Sequence, residues 1–308
     1  MSIIAEMPGI FQVLSDYTVK RFPVPTAAAS PDFSNGYKSK DVVIDDTKPV
    51  TARIYVPDTG DQLRPLPVIV YFHGGGFYVC STTWTSYDRF LGGLCAKSQA
   101  LILSVDYRLA PEHKIPAAYD DCYSSLQWLA SNSGAEAWLE RADLSRVFLS
   151  GESAGGNIVH HVMLRVIRDR IEGVSIVGLM ITHPSFGGEE RLEYEKAEGF
   201  ERRAGMADVA WRLSLPEGAD RDHWASNFEK GEAALDWRKF PAAKVFLAGL
   251  DFLKERGIKY AEFLEKNGVE VEVAVTEGQD HAFHVVSPDS QAATRLLQGQ
   301  MAEFVLRH

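Results

Sequence analysis

The stretch Arg146-Val147-Phe148-Leu149-Ser150-Gly151-Glu152-Ser153-Ala154-Gly155-Gly156-Asn157 passes from an apolar run through a G-x-S-x-G turn into a segment of helical character. A strand–turn–helix unit of this kind lifts its central serine above the end of a sheet on a sharp, strained turn. Gly151 and Gly155 leave room where the turn's backbone closes on its neighbours. A serine hydroxyl is a poor nucleophile near neutral pH, so the reading demands a base and an acid to orient it.

Upstream, His73-Gly74-Gly75-Gly76 follows another apolar run, Val68-Ile69-Val70-Tyr71-Phe72. Amides of Gly75 and Gly76, with that of Ala154 behind the serine, are the expected oxyanion-hole donors, because a side chain there would hold a substrate carbonyl away. His73 reads as a brace for the loop. In this arrangement the chain order is serine, acid, histidine. His281, just after the last strand-like run, is the expected base. His284 competes with it and reads as a packing residue or a support. His183 comes too early, His160 and His161 fall on the helix after the serine, and His223 reads as a hydrogen-bonding residue of an insertion. Asp251, ending the run Lys244 to Gly249, is the expected acid; Glu255 falls on a helix, and Asp280 adjoins the base and should point elsewhere.

Val42–Ile44 and Ala52–Val56 read as an antiparallel strand pair. The apolar runs at 68–72, 101–105, 147–149, 177–182 and 245–247 suit strands buried on both faces of a parallel sheet. Residues 269–275 alternate apolar and acidic side chains like an edge strand. Helices are expected at about 86–97, 117–131, 156–170 and 255–266, with a last one opened by Ser287-Pro288. The fold class is therefore α/β, a doubly wound sheet in one domain spanning 1–308, with the motifs at the carboxyl ends of strands. About 1–36 and 185–240 stand outside the alternation, and both are expected to form a cap over the site. Phe77, Tyr78, Trp84 and Trp211 are candidate pocket residues, with an ordinary core role as the alternative.

The formal net charge of −10 argues against nucleic acid and anionic membranes as partners. No apolar run approaches the roughly 20 residues of a transmembrane helix. The start carries no signal-peptide pattern, and Cys80, Cys95 and Cys122 have no metal-ligand spacing, which together suggest the cytoplasm, with the nucleus also open. No cofactor or metal is expected; the partner is a small-molecule ester, and the chain a monomer or homodimer.

Several segments are similar to the plant carboxylesterases of the hormone-sensitive-lipase-like α/β-hydrolases: His73–Phe77, Val105–His113, Pro116–Asp121, Gly151–Asn157, Phe186–Arg191, Trp211–Pro216 and Gly218–His223. The resemblance implies a mostly parallel eight-stranded sheet flanked by helices, a cap, and a Ser153–Asp251–His281 triad working through an acyl-enzyme. It implies action on small or hydrophobic esters, among relatives that hydrolyse strigolactones. The gibberellin receptors of the same family lack the triad histidine, which this chain keeps; a receptor-like or cyclase-like ligand binder is the alternative. Glu152 stands where many relatives carry aspartate, a change expected to be harmless. Asp106, Arg108 and Glu112 read as one charge network beneath the glycine loop, with Asp120 and Asp121 in similar structural duty.

Overall fold

Strand β6 (Leu66–Phe72) shows why the centre of this protein is a sheet: all seven residues are buried, and they alternate between two apolar layers. Val68, Val70 and Phe72 belong to one layer, Ile69 and Tyr71 to the other, the period-2 geometry of a pleated strand covered on both sides. Each large side chain so buried contributes about 1.5–3 kcal/mol. The computed structural model describes residues 1–231, 235–287 and 289–308.

In chain order the strands are β1 (Ile3–Met7), β2 (Phe11–Leu14), β3 (Val19–Arg21), β4 (Tyr37–Asp45), β5 (Val50–Pro57), β6, β7 (Leu101–Asp106), β8 (Ala142–Glu152), β9 (Ile176–Thr182), β10 (Ala242–Ala248) and β11 (Val271–Thr276). The last eight form one sheet ordered β11-β10-β9-β8-β6-β7-β5-β4, in which β5 pairs antiparallel with both neighbours and the other pairings are parallel. The expected strand pair, the buried runs and the alternating edge strand all take their places in it.

The helices are α1 (Thr85–Ser98), α2 (Ala117–Asn132), α3 (Ala154–Asp169), α4 (Glu193–Lys196), α5 (Glu201–Ser214), α6 (Lys254–Lys266), α7 (Phe283–Val286) and α8 (Gln291–Arg307). Leu126 of α2, Ile158 of α3 and Leu264 of α6 pack on the Val68–Phe72 layer; Phe90 of α1 and Met301 of α8 pack on the Ile69–Tyr71 layer.

Two expectations need correction. No strand was expected before Val42, yet β1–β3 make a small antiparallel sheet. These strands are three to five residues long and bury only Ala5, Phe11 and Val13, too little alternation to stand out. The last helix begins at Gln291 rather than at Ser287-Pro288, because Ser290 supplies the carbonyl for its first turn, bonded by the Thr294 amide at 2.8 Å. Pro288 lies outside the described residues. The small sheet, Leu213 of α5 and the Tyr78–Val79 pair share a third apolar cluster, which ties the N-terminal segment and the insertion to the glycine loop.

Candidate active site

Ser153 sits between β8 and α3 with φ 56° and ψ −118°, a conformation that non-glycine residues adopt at a cost of about 1–3 kcal/mol. The surrounding turn over-determines it: the Ser153 amide bonds the Thr182 carbonyl at 2.9 Å, and its carbonyl accepts the Ser185 amide at 3.0 Å. A Cβ on Gly155 would lie 1.9 Å from the Phe72 carbonyl oxygen, so only glycine lets the elbow close on β6. Helix α3 begins at Ala154, two residues before the expected Gly156, which makes Ser153 its N-cap and aims the positive end of the helix dipole at the hydroxyl.

The structure brings Ser153, His281 and Asp251 into one hydrogen-bonded chain. His281 Nε2 lies 2.9 Å from Ser153 Oγ, and His281 Nδ1 lies 2.7 Å from Asp251 Oδ2. An ionised carboxylate only accepts, so Nδ1–H donates to Asp251 and Nε2 is left to take the serine proton. Asp251 is almost fully buried, and its other oxygen accepts the Leu253 amide at 2.9 Å. Burial disfavours the imidazolium of His281, but the charge and hydrogen bond of Asp251 outweigh it, and the pKa is raised above its usual value. For Asp251, burial pushes the other way, and the charge and hydrogen bond of His281 hold the carboxyl below its usual range. The rejected acids are engaged elsewhere. Asp280 pairs with Arg203, and Glu255 accepts the Tyr194 amide at 2.9 Å.

On the glycine loop, Gly75 has φ +91°, and a Cβ there would lie 2.2 Å from the Val79 carbonyl. Among the described residues nothing accepts a hydrogen bond from the Gly75, Gly76 or Ala154 amides. The Gly74 amide, by contrast, donates to Glu152 Oε1 at 2.6 Å. Glu152, buried beneath the loop, also accepts from the hydroxyls of Tyr71 and Tyr87. Burial pushes its pKa up in spite of these bonds. His73 braces the loop from the side: its ring stacks on Tyr107 at 4.3 Å, and the Tyr107 hydroxyl donates to the His73 carbonyl at 2.7 Å.

The four expected pocket residues do not form one wall. Phe77 packs on Trp211 at 5.5 Å in the main core, Tyr78 packs edge-on to Phe11 in the cluster beneath β1–β2, and Trp84 flanks α1 on the other layer. The expected network of Asp106, Arg108 and Glu112 is likewise divided. Asp106 accepts from Ser81 and the Thr82 amide, Arg108 forks onto Asp121, and Glu112 pairs with Arg21 of β3. Asp120 pairs with Arg165. These charges are spread over different elements, so adjacency in sequence did not make them neighbours in space.

His160 bonds the Tyr260 hydroxyl at 3.0 Å, His161 bonds the Ala225 carbonyl at 3.1 Å, and His223 Nδ1 accepts the Ala225 amide at 3.2 Å. Sequence reasoning passed over His183, whose Nδ1 accepts the Ala282 amide at 3.1 Å and so fixes the loop that carries the base. The signal available was its place at the end of β9, the same edge as the elbow. Ligand atoms of His183, Asp251 and His281 lie within 4.8 Å of one another. Their hydrogen bonds to Ser153, Ala282 and each other already commit the His281 nitrogens and His183 Nδ1, an arrangement that suits proton transfer better than metal ligation. No helix among the described residues is long and apolar enough to cross a membrane.

Comparison with known proteins agrees with this fold. The alpha/beta hydrolase fold family matches residues 69–285. A tuliposide A-converting enzyme of Tulipa gesneriana is 44% identical over 80% of this chain and 66% of its own length, so the chain spans just under two thirds of that relative. Probable carboxylesterase 6 of Arabidopsis thaliana is 35% identical over 96% of this chain and 89% of its own. Among solved structures, an esterase of the archaeon Pyrobaculum calidifontis superposes with a TM-score of 0.71 at 28% identity, covering 87% of this chain and 85% of that one. A family match over residues 69–285, joined to a plant relative aligned nearly end to end, leaves one conclusion: the chain belongs to the alpha/beta hydrolase fold family, in the branch that contains the plant carboxylesterases.

Proposed function

We propose that this protein is a carboxylic ester hydrolase that works through an acyl-enzyme on Ser153. The observation that carries the reading is the continuous bond from Ser153 Oγ through His281 to Asp251. Ser153 Oγ attacks the ester carbonyl as His281 Nε2 takes its proton, while Asp251 stabilises the imidazolium. The oxyanion gathers the Gly75, Gly76 and Ala154 amides, each such donor being worth about 10²- to 10³-fold in rate. His281 then protonates the leaving alcohol. Water, deprotonated by the same nitrogen, releases the acid and restores the serine. No cofactor enters these steps.

The substrate class we infer is a small or hydrophobic ester; Phe77, next to the glycine loop in sequence, packs on Trp211 at 5.5 Å. Lactones of the strigolactone type and tuliposide A, the compound named for the tulip relatives, belong in the first screen. Two measurements test the mechanism: release of p-nitrophenol from p-nitrophenyl butyrate, and intact-mass labelling by an organophosphate. One adduct on the wild type and none on Ser153→Ala is expected. No adduct on the wild type, or the same adduct on both, overturns the reading.

A further inference from the structure

A cavity of about 910 Å³ lies between α1, α7, α8 and the N-terminal segment. The residues placed above as oxyanion donors and catalytic serine do not line it. Its volume is within the roughly 300–1,000 Å³ range of small-molecule sites. Val24, Pro25, Trp84, Phe90 and Val285 make much of the wall apolar. Arg89 and Arg295 also line it; both are exposed, and neither guanidinium has a hydrogen bond or ion pair among the described residues. No described lining residue is acidic, although the chain as a whole carries −10. The first turns of α1 and α8 border the cavity as well, and neither N-cap, Trp84 or Ser290, offers a side-chain acceptor to the helix it opens. Asp88 in the first turn of α1 is paired with the buried Arg53, so the unpaired charge at the cavity is that of the two arginines.

His284 closes one side of the cavity, with both ring nitrogens buried out of reach of solvent. It lines the cavity, is 7% exposed, and neither ring nitrogen has a hydrogen-bond partner. Burial, reinforced by the nearby His281, pushes its pKa down to about 3, so the ring is neutral and offers one donor and one acceptor.

We propose that this cavity is a second ligand site, separate from the serine, for an amphipathic carboxylate. Its head group meets the Arg89 and Arg295 forks, and its apolar body lies against Trp84, Phe90 and Val285. Guanidinium forks match a carboxylate in shape as well as charge.

Calorimetric titration with octanoate tests the proposal, with octanamide as the uncharged control. One site per chain is expected, with octanamide bound at least tenfold more weakly. Arg89→Ala combined with Arg295→Ala should weaken octanoate by tenfold or more, and Thr294→Trp, which fills the cavity from α8, should abolish binding. Unchanged thermal melts establish that the variants fold. Because the titration does not use turnover, it stands whether or not the protein hydrolyses esters. The proposal is overturned if octanoate does not bind, if octanamide binds as tightly, or if these variants bind octanoate like the wild type.

Discussion

Glu152 offers the most searching test of how the glycine loop is held. Its carboxylate collects the Tyr71 hydroxyl, the Tyr87 hydroxyl and the Gly74 amide under the loop that presents Gly75 and Gly76. In Glu152→Ala, two buried tyrosine hydroxyls lose their acceptor, while Gly74 keeps only the Tyr87 oxygen at 3.2 Å. At about 1–3 kcal/mol for each unsatisfied group, the two hydroxyls alone should cost about 2–6 kcal/mol of stability. Glu152→Gln preserves the volume and replaces one accepting oxygen with a donor, so the Tyr71 hydroxyl must turn to accept and its own proton loses its partner, at a cost of about 1–3 kcal/mol. Glu152 is not in reach of the ester in the proposed mechanism, so the effect on rate must pass through the loop. Displacement of one oxyanion donor is worth about 10²- to 10³-fold. A partial shift in Glu152→Gln should therefore lower kcat by about tenfold or more while KM stays within about threefold. Thermal melts, together with kcat and KM on p-nitrophenyl butyrate, check both parts. A folded Glu152→Gln variant with kcat within twofold of wild type would refute the claim that this carboxylate sets the loop.

Two further outcomes follow from the geometry. His281 must be neutral to accept the serine proton, and its pKa is raised above 6.5; the acid limb of kcat/KM should therefore lie above pH 6.5, with activity falling as pH falls through it, and a limb centred below 6.5 contradicts the pairing. The linked stability runs the other way: the His281 contribution is complete below pH 6.5 and fades as pH rises through its raised folded value, whereas that of Asp251 holds above pH 3.8 and fades as pH falls through its lowered one. Arg21→Ala removes bonds to the Tyr78 carbonyl at 2.7 Å and the Ala110 carbonyl at 2.6 Å, and the fork onto Glu112. It should cost about 1–3 kcal/mol and speed amide exchange across residues 3–21 while the main sheet stays protected; unchanged exchange there contradicts the anchoring role.

Much of the fold was legible because parallel strands buried on both faces leave unbroken apolar runs, and those at 68–72, 147–149 and 245–247 lie within β6, β8 and β10. The elbow was legible because its turn tolerates so few residues: Gly155 touches Phe72 backbone, and no side chain fits there. Chain order and strand ends singled out His281 and Asp251. What escaped was set by tertiary contact rather than local pattern. Strands β1–β3 owe their place to packing against α5 and Tyr78, partners far along the chain. Trp84 and Trp211 share a residue type but face different layers of the sheet, which no spacing rule separates. The role of Tyr71 and Tyr87 depends on a carboxylate many residues away, and His183 matters through the backbone of Ala282.

The register of the central strands reaches further than their own stability. Phe72 is paired with Gly151, and Glu152 with Thr182, so the glycine loop, the elbow and the strand leading to His183 leave the sheet side by side at adjacent rungs. Reactive spacing is thereby cast in the ladder itself, much as type is locked in a printer's forme. The N-terminal sheet is attached to that frame through the third apolar cluster, whereas the 185–240 excursion also seats Trp211, Leu215 and Phe228 in the main core. Exposed positions on both can change while the pairing of β6, β8 and β9 holds the glycine loop beside the elbow.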